Sequence, residues 1–158
     1  MNRIKPHLEL GKPVKVKNLD SKLAKIKRHI QLEFEEEALS ELDDLTRSLG
    51  HSIDVYPGFQ IAEHYFQLRN YKSCIKVLDS LKEGESRKEP RIQNLKGLAQ
   101  MKLGNLKTAI DLFEICLVIN KKYKIAQNNL GNIYMQKKEY QKALKYYTMS
   151  KESKIFFI

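Results

Sequence analysis

Residues 130–147 read LGNIYMQKKEYQKALKYY, and the order in which small and aromatic residues fall there recurs upstream. Gly131, Tyr134, Tyr140, Ala143 and Tyr147 stand at intervals of 3, 6, 3 and 4. Thirty-four residues earlier, Gly97 takes the place of Gly131, Ala109 that of Ala143 and Phe113 that of Tyr147. Gln93, Asn94 and Met101 likewise return as Gln127, Asn128 and Met135. A further 35 residues back, Ala62, Tyr65, Tyr71, Cys74 and Leu78 occupy the five places. The extra residue falls in KEGESRKEP, a charged stretch with Gly and Ser where an insertion costs little. A period this regular restricts the chain to architectures built by stacking one unit on the next.

The physical reading of one unit is two antiparallel helices. A glycine and an alanine mark places where helices approach too closely for a larger side chain. The aromatics fill the space beside those approaches. Pro57 and Pro90 suit a first helical turn, where a missing N–H is no loss. Asn70 and Gly104 fall where a left-handed residue would end a first helix. Lys137 and Lys138 stand there in the last copy, so a different turn is expected. The pattern predicts helices over 56–69, 72–83, 90–103, 107–120, 124–137 and 140–153.

These residues resemble the tetratricopeptide repeat family, whose pattern runs W-x2-L-G-x2-Y, then A-x3-F, then P. The third copy supplies Leu130, Gly131, Tyr134, Ala143 and Tyr147, with Gln127 at the Trp place and Ile155 at the Pro place. The second supplies Gly97, Ala109 and Phe113, and the first Ile61, Ala62, Tyr65, Cys74 and Leu78. The resemblance implies an all-α fold, an α-solenoid of three helix hairpins at about 55–88, 90–123 and 124–157. It implies a repeat domain over 51–158.

Upstream, Leu23, Ile26, Ile30, Phe34, Ala38, Leu42, Leu45 and Leu49 form one apolar stripe with helical spacing. The expectation is a single amphipathic helix over 20–50 that caps the open end of the stack. A degenerate repeat broken near Glu35–Glu37 is the alternative. Residues 1–19 hold Pro6, Gly11 and Pro13 without periodicity and read as a flexible basic arm.

Composition excludes several classes. No apolar run reaches the ~18 residues of a transmembrane helix, and no membrane role is expected. MNRIKPHLELGKPVKVKNL lacks the apolar core of a secretory signal. Cys74 and Cys116 make no metal or redox motif and read as buried, reduced thiols of a cytoplasmic protein. The four histidines never fall three to five residues apart, which argues against a histidine metal site. There is no phosphate-binding glycine loop and no G-x-S-x-G elbow. The carboxylates of EFEEE (33–37) and ELDD (41–44) read as a solvated helix face. The expectation is a non-enzyme without a cofactor.

Charge is unevenly spread along a chain of net charge +10. Residues 1–31 carry nine Lys/Arg and two Asp/Glu, residues 32–54 one and eight, and residues 91–158 thirteen and four. Of the 29 cations, 23 are lysines, a solvated point charge rather than the forked donor that recognises phosphates and bases. A lysine-rich surface is therefore favoured over a nucleic-acid site.

In the family, the first helices of successive repeats line a concave groove that holds partner segments. The resemblance assigns ten candidate partner contacts there: Phe59, Glu63 and Phe66; Asn94, Leu98 and Met101; Asn128, Asn129, Asn132 and Met135. Asn94, Asn128 and Asn132 are expected to be exposed, since an Asn can both donate to and accept from a peptide backbone. Phe66 and the methionines offer adaptable apolar contacts, although Leu95, Leu98 and the methionines could equally serve packing between repeats. The subgroup that grips chaperone carboxylate termini uses Lys and Asn where this chain has Glu63, Leu95 and Ile125, so that role is rejected. The layout also looks like that of bacterial secretion chaperones.

The function expected is a protein–protein interaction module, an adaptor, scaffold or chaperone that takes a peptide or helix in its groove. The alternatives are nucleic-acid binding through the basic arm and C-terminal half, and a self-assembling scaffold in which the acidic segment meets a basic half. The apolar tail, Ile155, Phe156, Phe157 and Ile158, is expected either to fold back near Leu144 or to dock on a second chain.

Overall fold

The computed structural model describes residues 18–86 and 88–152. Residues 1–17 of the arm expected over 1–19, and the tail Ile155–Ile158, lie outside them, whereas Leu19 already belongs to the first helix. Helices α1 (Leu19–Gln31), α2 (Glu35–Leu49), α3 (Val55–Gln67), α4 (Tyr71–Asp79), α5 (Glu83–Ser86), α6 (Pro90–Lys102), α7 (Leu106–Ile119), α8 (Lys124–Gln136) and α9 (Tyr140–Glu152) follow one another. Except for the one-turn α5, they pair as antiparallel neighbours: α1 with α2, α3 with α4, α6 with α7 and α8 with α9. Each pair then packs on the next, α3 against α1 and α2, α6 against α4, and α8 against α7. This is the all-α solenoid that the repeat implies.

The segment read as one capping helix over 20–50 is instead a helix pair. The chain breaks at Leu32–Phe34, where the N–H groups of Leu32 and Phe34 donate back to Arg28 and His29 and Glu33 takes a positive φ of 62°. The apolar stripe survives the break because both helices turn it inward: Leu23 and Ile26 on α1, and Ala38, Leu42, Leu45 and Leu49 on α2, are buried in one cluster.

The close approaches inferred for the glycines are present. A Cβ on Gly97 would stand 2.7 Å from the ring of buried Phe113, and one on Gly131 would stand 2.5 Å from the Tyr147 ring. Ala109 and Ala143 are buried at the matching places of α7 and α9. The aromatic of the second helix thus lies over the glycine of the first in both pairs.

The turns correct two expectations. Lys138 adopts φ 61°, so the last turn has the same left-handed residue as the turn at Gly104 (φ 83°). In the preceding pair that residue is Arg69 (φ 57°), while Asn70 is the cap of α4, its Oδ1 accepting from the Ser73 N–H at 3.2 Å. Helix α4 stops at Asp79, short of 83, because Leu81 is drawn into a parallel bridge with Ile53. The Ile53 N–H donates to Ser80 O at 2.9 Å, and the Lys82 N–H donates to Ile53 O at 3.0 Å. Gly58 makes room for the Leu81 and Ile53 side chains at this crossing.

Candidate functional site

The first helices of the last three pairs, α3, α6 and α8, are linked side chain to side chain across one face. On α3 and α6, the Arg91 guanidinium lies over the Phe59 ring, 5.5 Å from its centroid. Glu89, the cap of α6, holds that guanidinium through Nε at 3.1 Å. Between α6 and α8, Asn129 Nδ2 donates to Asn94 Oδ1 at 3.0 Å. Glu63 is exposed beside this cluster. Partial burial raises its carboxyl pKa, and the nearby Arg91 charge works the other way.

The ten expected contacts separate into two sets. Phe59 and Phe66 are half-buried, with Phe66 packed edge-on against Tyr71 at 5.3 Å between centroids. Leu98 and Met101 are half-buried and pack against the C-terminal core, so much of their surface serves packing. Asn94 is not exposed as expected: it is only 7% accessible, because its amide is turned between two pairs to meet half-buried Asn129. Glu63, Asn128, Asn132 and Met135 are exposed. Asn132 Oδ1 accepts from the Tyr147 hydroxyl at 2.7 Å, which leaves its amide N–H groups directed by that bond. The Asn128 side chain has no hydrogen bond to other described residues.

Arg91 occupies an inward repeat position but is not among the ten expected contacts. Its signal was local: a glutamate two residues earlier, capping the helix whose first turn holds Arg91. Farther along, Tyr134 and Tyr146 stack with centroids 5.6 Å apart, and the ammonium groups of Lys137 and Lys142 lie 5.7 and 5.1 Å from the Tyr134 centroid.

A different hollow, of about 620 Å³, opens between α2 and α4 and holds none of the ten expected residues. At it, buried Tyr65 donates to Asp43 Oδ1 at 2.6 Å, with Thr46 Oγ1 at 3.3 Å from the phenol oxygen. Burial first, and the Asp43 bond second, push the Tyr65 pKa upward. The arrangement joins the first pair to the second. No group of three or more His, Cys, Asp or Glu side chains that could hold a metal ion is found among the described residues.

These features define a stack of helical repeats, and the sequence comparison identifies one of them. Residues 125–152 match the tetratricopeptide repeat model, so α8 and α9 form a tetratricopeptide repeat in sequence as well as in shape. Solved structures of MamA share the fold. One crystal structure aligns at a TM-score of 0.69 with 18% identity, covering 85% of this chain and 77% of that one. MamA from Desulfovibrio magneticus RS-1, residue 41 to the end, aligns at 0.70 with 15% identity, covering 87% and 78%. A MamA AMB-1 structure aligns at 0.71 with 17% identity, covering 89% and 82%. No curated protein matches the chain in sequence.

Proposed function

We propose that the chain binds another protein by seating a peptide or helical segment along the face of α3, α6 and α8. The observation that supports this reading most is the linkage of that face. Phe59–Arg91 and Asn94–Asn129 tie three helices together, while Asn128, Asn132 and Met135 stay open beside them. A rigid face with amide groups and a flexible apolar side chain suits an extended backbone flanked by apolar residues. The repeat fold supports a scaffold or adaptor role. Two buried, unpaired thiols suit a cytoplasmic location.

The test is photo-crosslinking from Met135 in native lysate, with exposed Lys107 on α7 as the outward control. Crosslinks to one protein from 135 and not from 107 are expected. The Asn128→Ala, Asn132→Ala double variant should then weaken binding of that protein about tenfold with helicity unchanged. Binding to it should change little between 50 and 500 mM salt, whereas a nucleic-acid contact would weaken steeply. Equal capture from both positions, or unchanged affinity, would sink the reading.

A further inference from the structure

We propose that copies of this chain associate end to end, the α1–α2 turn of one copy docking beside the α8–α9 turn of the next. The inference does not depend on the partner-binding face.

Three observations carry it. The first is geometric. The four within-pair turns share one backbone form, with Glu33, Arg69, Gly104 and Lys138 all left-handed. In each, the residue after that position donates its N–H to the carbonyl five residues before it, at 2.9 Å: Phe34 to His29, Asn70 to Tyr65, Asn105 to Gln100 and Glu139 to Tyr134. Because every pair is antiparallel, these turns lie along one edge of the stack. A second copy that continued the stack beyond α9 would bring its Leu32–Phe34 turn beside residues 137–139, one helix spacing of ~8–10 Å away.

The second observation is the chemistry of the two terminal turns. Residues 32–37 read LEFEEE, and all six are exposed. Leu32 and Phe34 each keep 50% of their surface in water among four glutamates, two of which, Glu36 and Glu37, share a hollow with Lys25. At the other end, Tyr140 and Leu144 are 59% and 62% exposed among Lys137, Lys138, Lys142 and Lys145. The one acid there, Glu139, already pairs with Lys137 and Lys142, both at 2.7 Å. One end is apolar and acidic, the other apolar and basic, and charges of opposite sign one helix spacing apart lie near the ~8–10 Å screening length.

The third is that among the described residues no element packs on the outer side of α8–α9. Repeat stacks shield such a side with a polar cap or a partner. A second copy of α1–α2 offers two exposed apolar side chains and complementary charge to this side. The contact is heterologous, so it propagates past a dimer into rings or open chains.

Sedimentation velocity on the intact chain tests this. From about 10 to 300 µM in 50 mM salt, the weight-average mass should rise above the 18.5 kDa monomer and past the dimer. It should fall back at 500 mM salt. Reversing the acid end (Glu36→Lys, Glu37→Lys) or the basic end (Lys142→Glu, Lys145→Glu) should each leave a monomer with the parent's circular dichroism. Mixing the two reversed proteins should restore association, because each then supplies the end the other lacks. Leu144→Ser, which leaves every charge in place, serves where a reversal impairs folding, and should weaken association at least tenfold. A parent that stays monomeric, a mass that saturates at the dimer, association that survives high salt, or a mixture that stays monomeric would each overturn the proposal. So would loss of association on deleting residues 153–158 alone, which would move the contact to the tail.

Discussion

At the scale of single residues, the two repeat glycines do the same job under different constraints. A methyl group on Gly97 meets the ring of Phe113, which is fully buried and cannot yield. One on Gly131 meets the half-buried ring of Tyr147, which can swing outward at the loss of its bond to Asn132. In both helices alanine gains ~1 kcal/mol of intrinsic propensity over glycine, against an overpacking cost of ~1–3 kcal/mol. Gly97→Ala should therefore lose about 1–2 kcal/mol in urea unfolding, and Gly131→Ala should stay within about 1 kcal/mol of the parent. Equal losses would mean that Phe113 is freer than its burial implies. The left-handed turn residues give a test of opposite sign. A non-glycine residue there bears ~1–2 kcal/mol of strain, so Lys138→Gly and Arg69→Gly should each raise stability by about 0.5–1 kcal/mol after the entropy cost of glycine. A loss on both would show that the side chains, not the backbone, hold these turns.

At the scale of elements, what could be read from the sequence follows what produces a periodic signal. Helices α3, α6, α7, α8 and α9 start and stop within about two residues of their expected bounds, since glycine, alanine and aromatic places repeat with the stack. The break between α1 and α2 gave no such signal. Ile30, Phe34 and Ala38 keep a spacing of four across it, and the left-handed position holds Glu33 rather than glycine. The turn forms there because backbone bonds close it, as they do at Lys138, so residue type is a weak guide to this turn. Of the three asparagines expected to be exposed, Asn128 and Asn132 on α8 are, as their repeat positions imply. Asn94 is not: the amide-to-amide bond that buries it joins two pairs and has no local trace in the sequence. Cap chemistry can be tested on α4, where Asn70→Ala removes the acceptor for the Ser73 N–H and should cost about 1 kcal/mol. Asn105 caps the equivalent α7 without a side-chain bond to the helix N–H groups, its Nδ2 donating instead to exposed Gln100 Oε1 at 2.8 Å, so Asn105→Ala should cost less than Asn70→Ala.

At the scale of the molecule, the buried side chains form two clusters, one from α1–α4 with part of α6 and one from α7–α9. Each contains one cysteine, Cys74 in the first and Cys116 in the second, both free and fully buried. Burial pushes each thiol up from about 9 to about 12; at Cys74 the Glu63 charge adds to the rise. A thiol becomes an anion when it loses its proton, and the interior disfavours that anion. As pH rises through 9, the unfolded chain therefore loses these protons while the folded chain keeps them. The stability held by the two protonated thiols is complete below pH 9 and drains between 9 and 12. Three pK units correspond to at most about 4 kcal/mol per thiol, enough to matter against a total of ~5–15 kcal/mol. The melting temperature of the parent should fall steeply over pH 9–11, and the Cys74→Ala, Cys116→Ala double variant, less stable at pH 7, should fall more gently. Each single variant should remove about half of the difference in slope, because the thiols sit in separate clusters and act independently. Parallel curves for parent and double variant would mean that the thiols titrate in the folded protein much as they do in the unfolded chain. Water would then have to reach both cores, and the burial of Phe113 and Tyr65 beside them would fail with it.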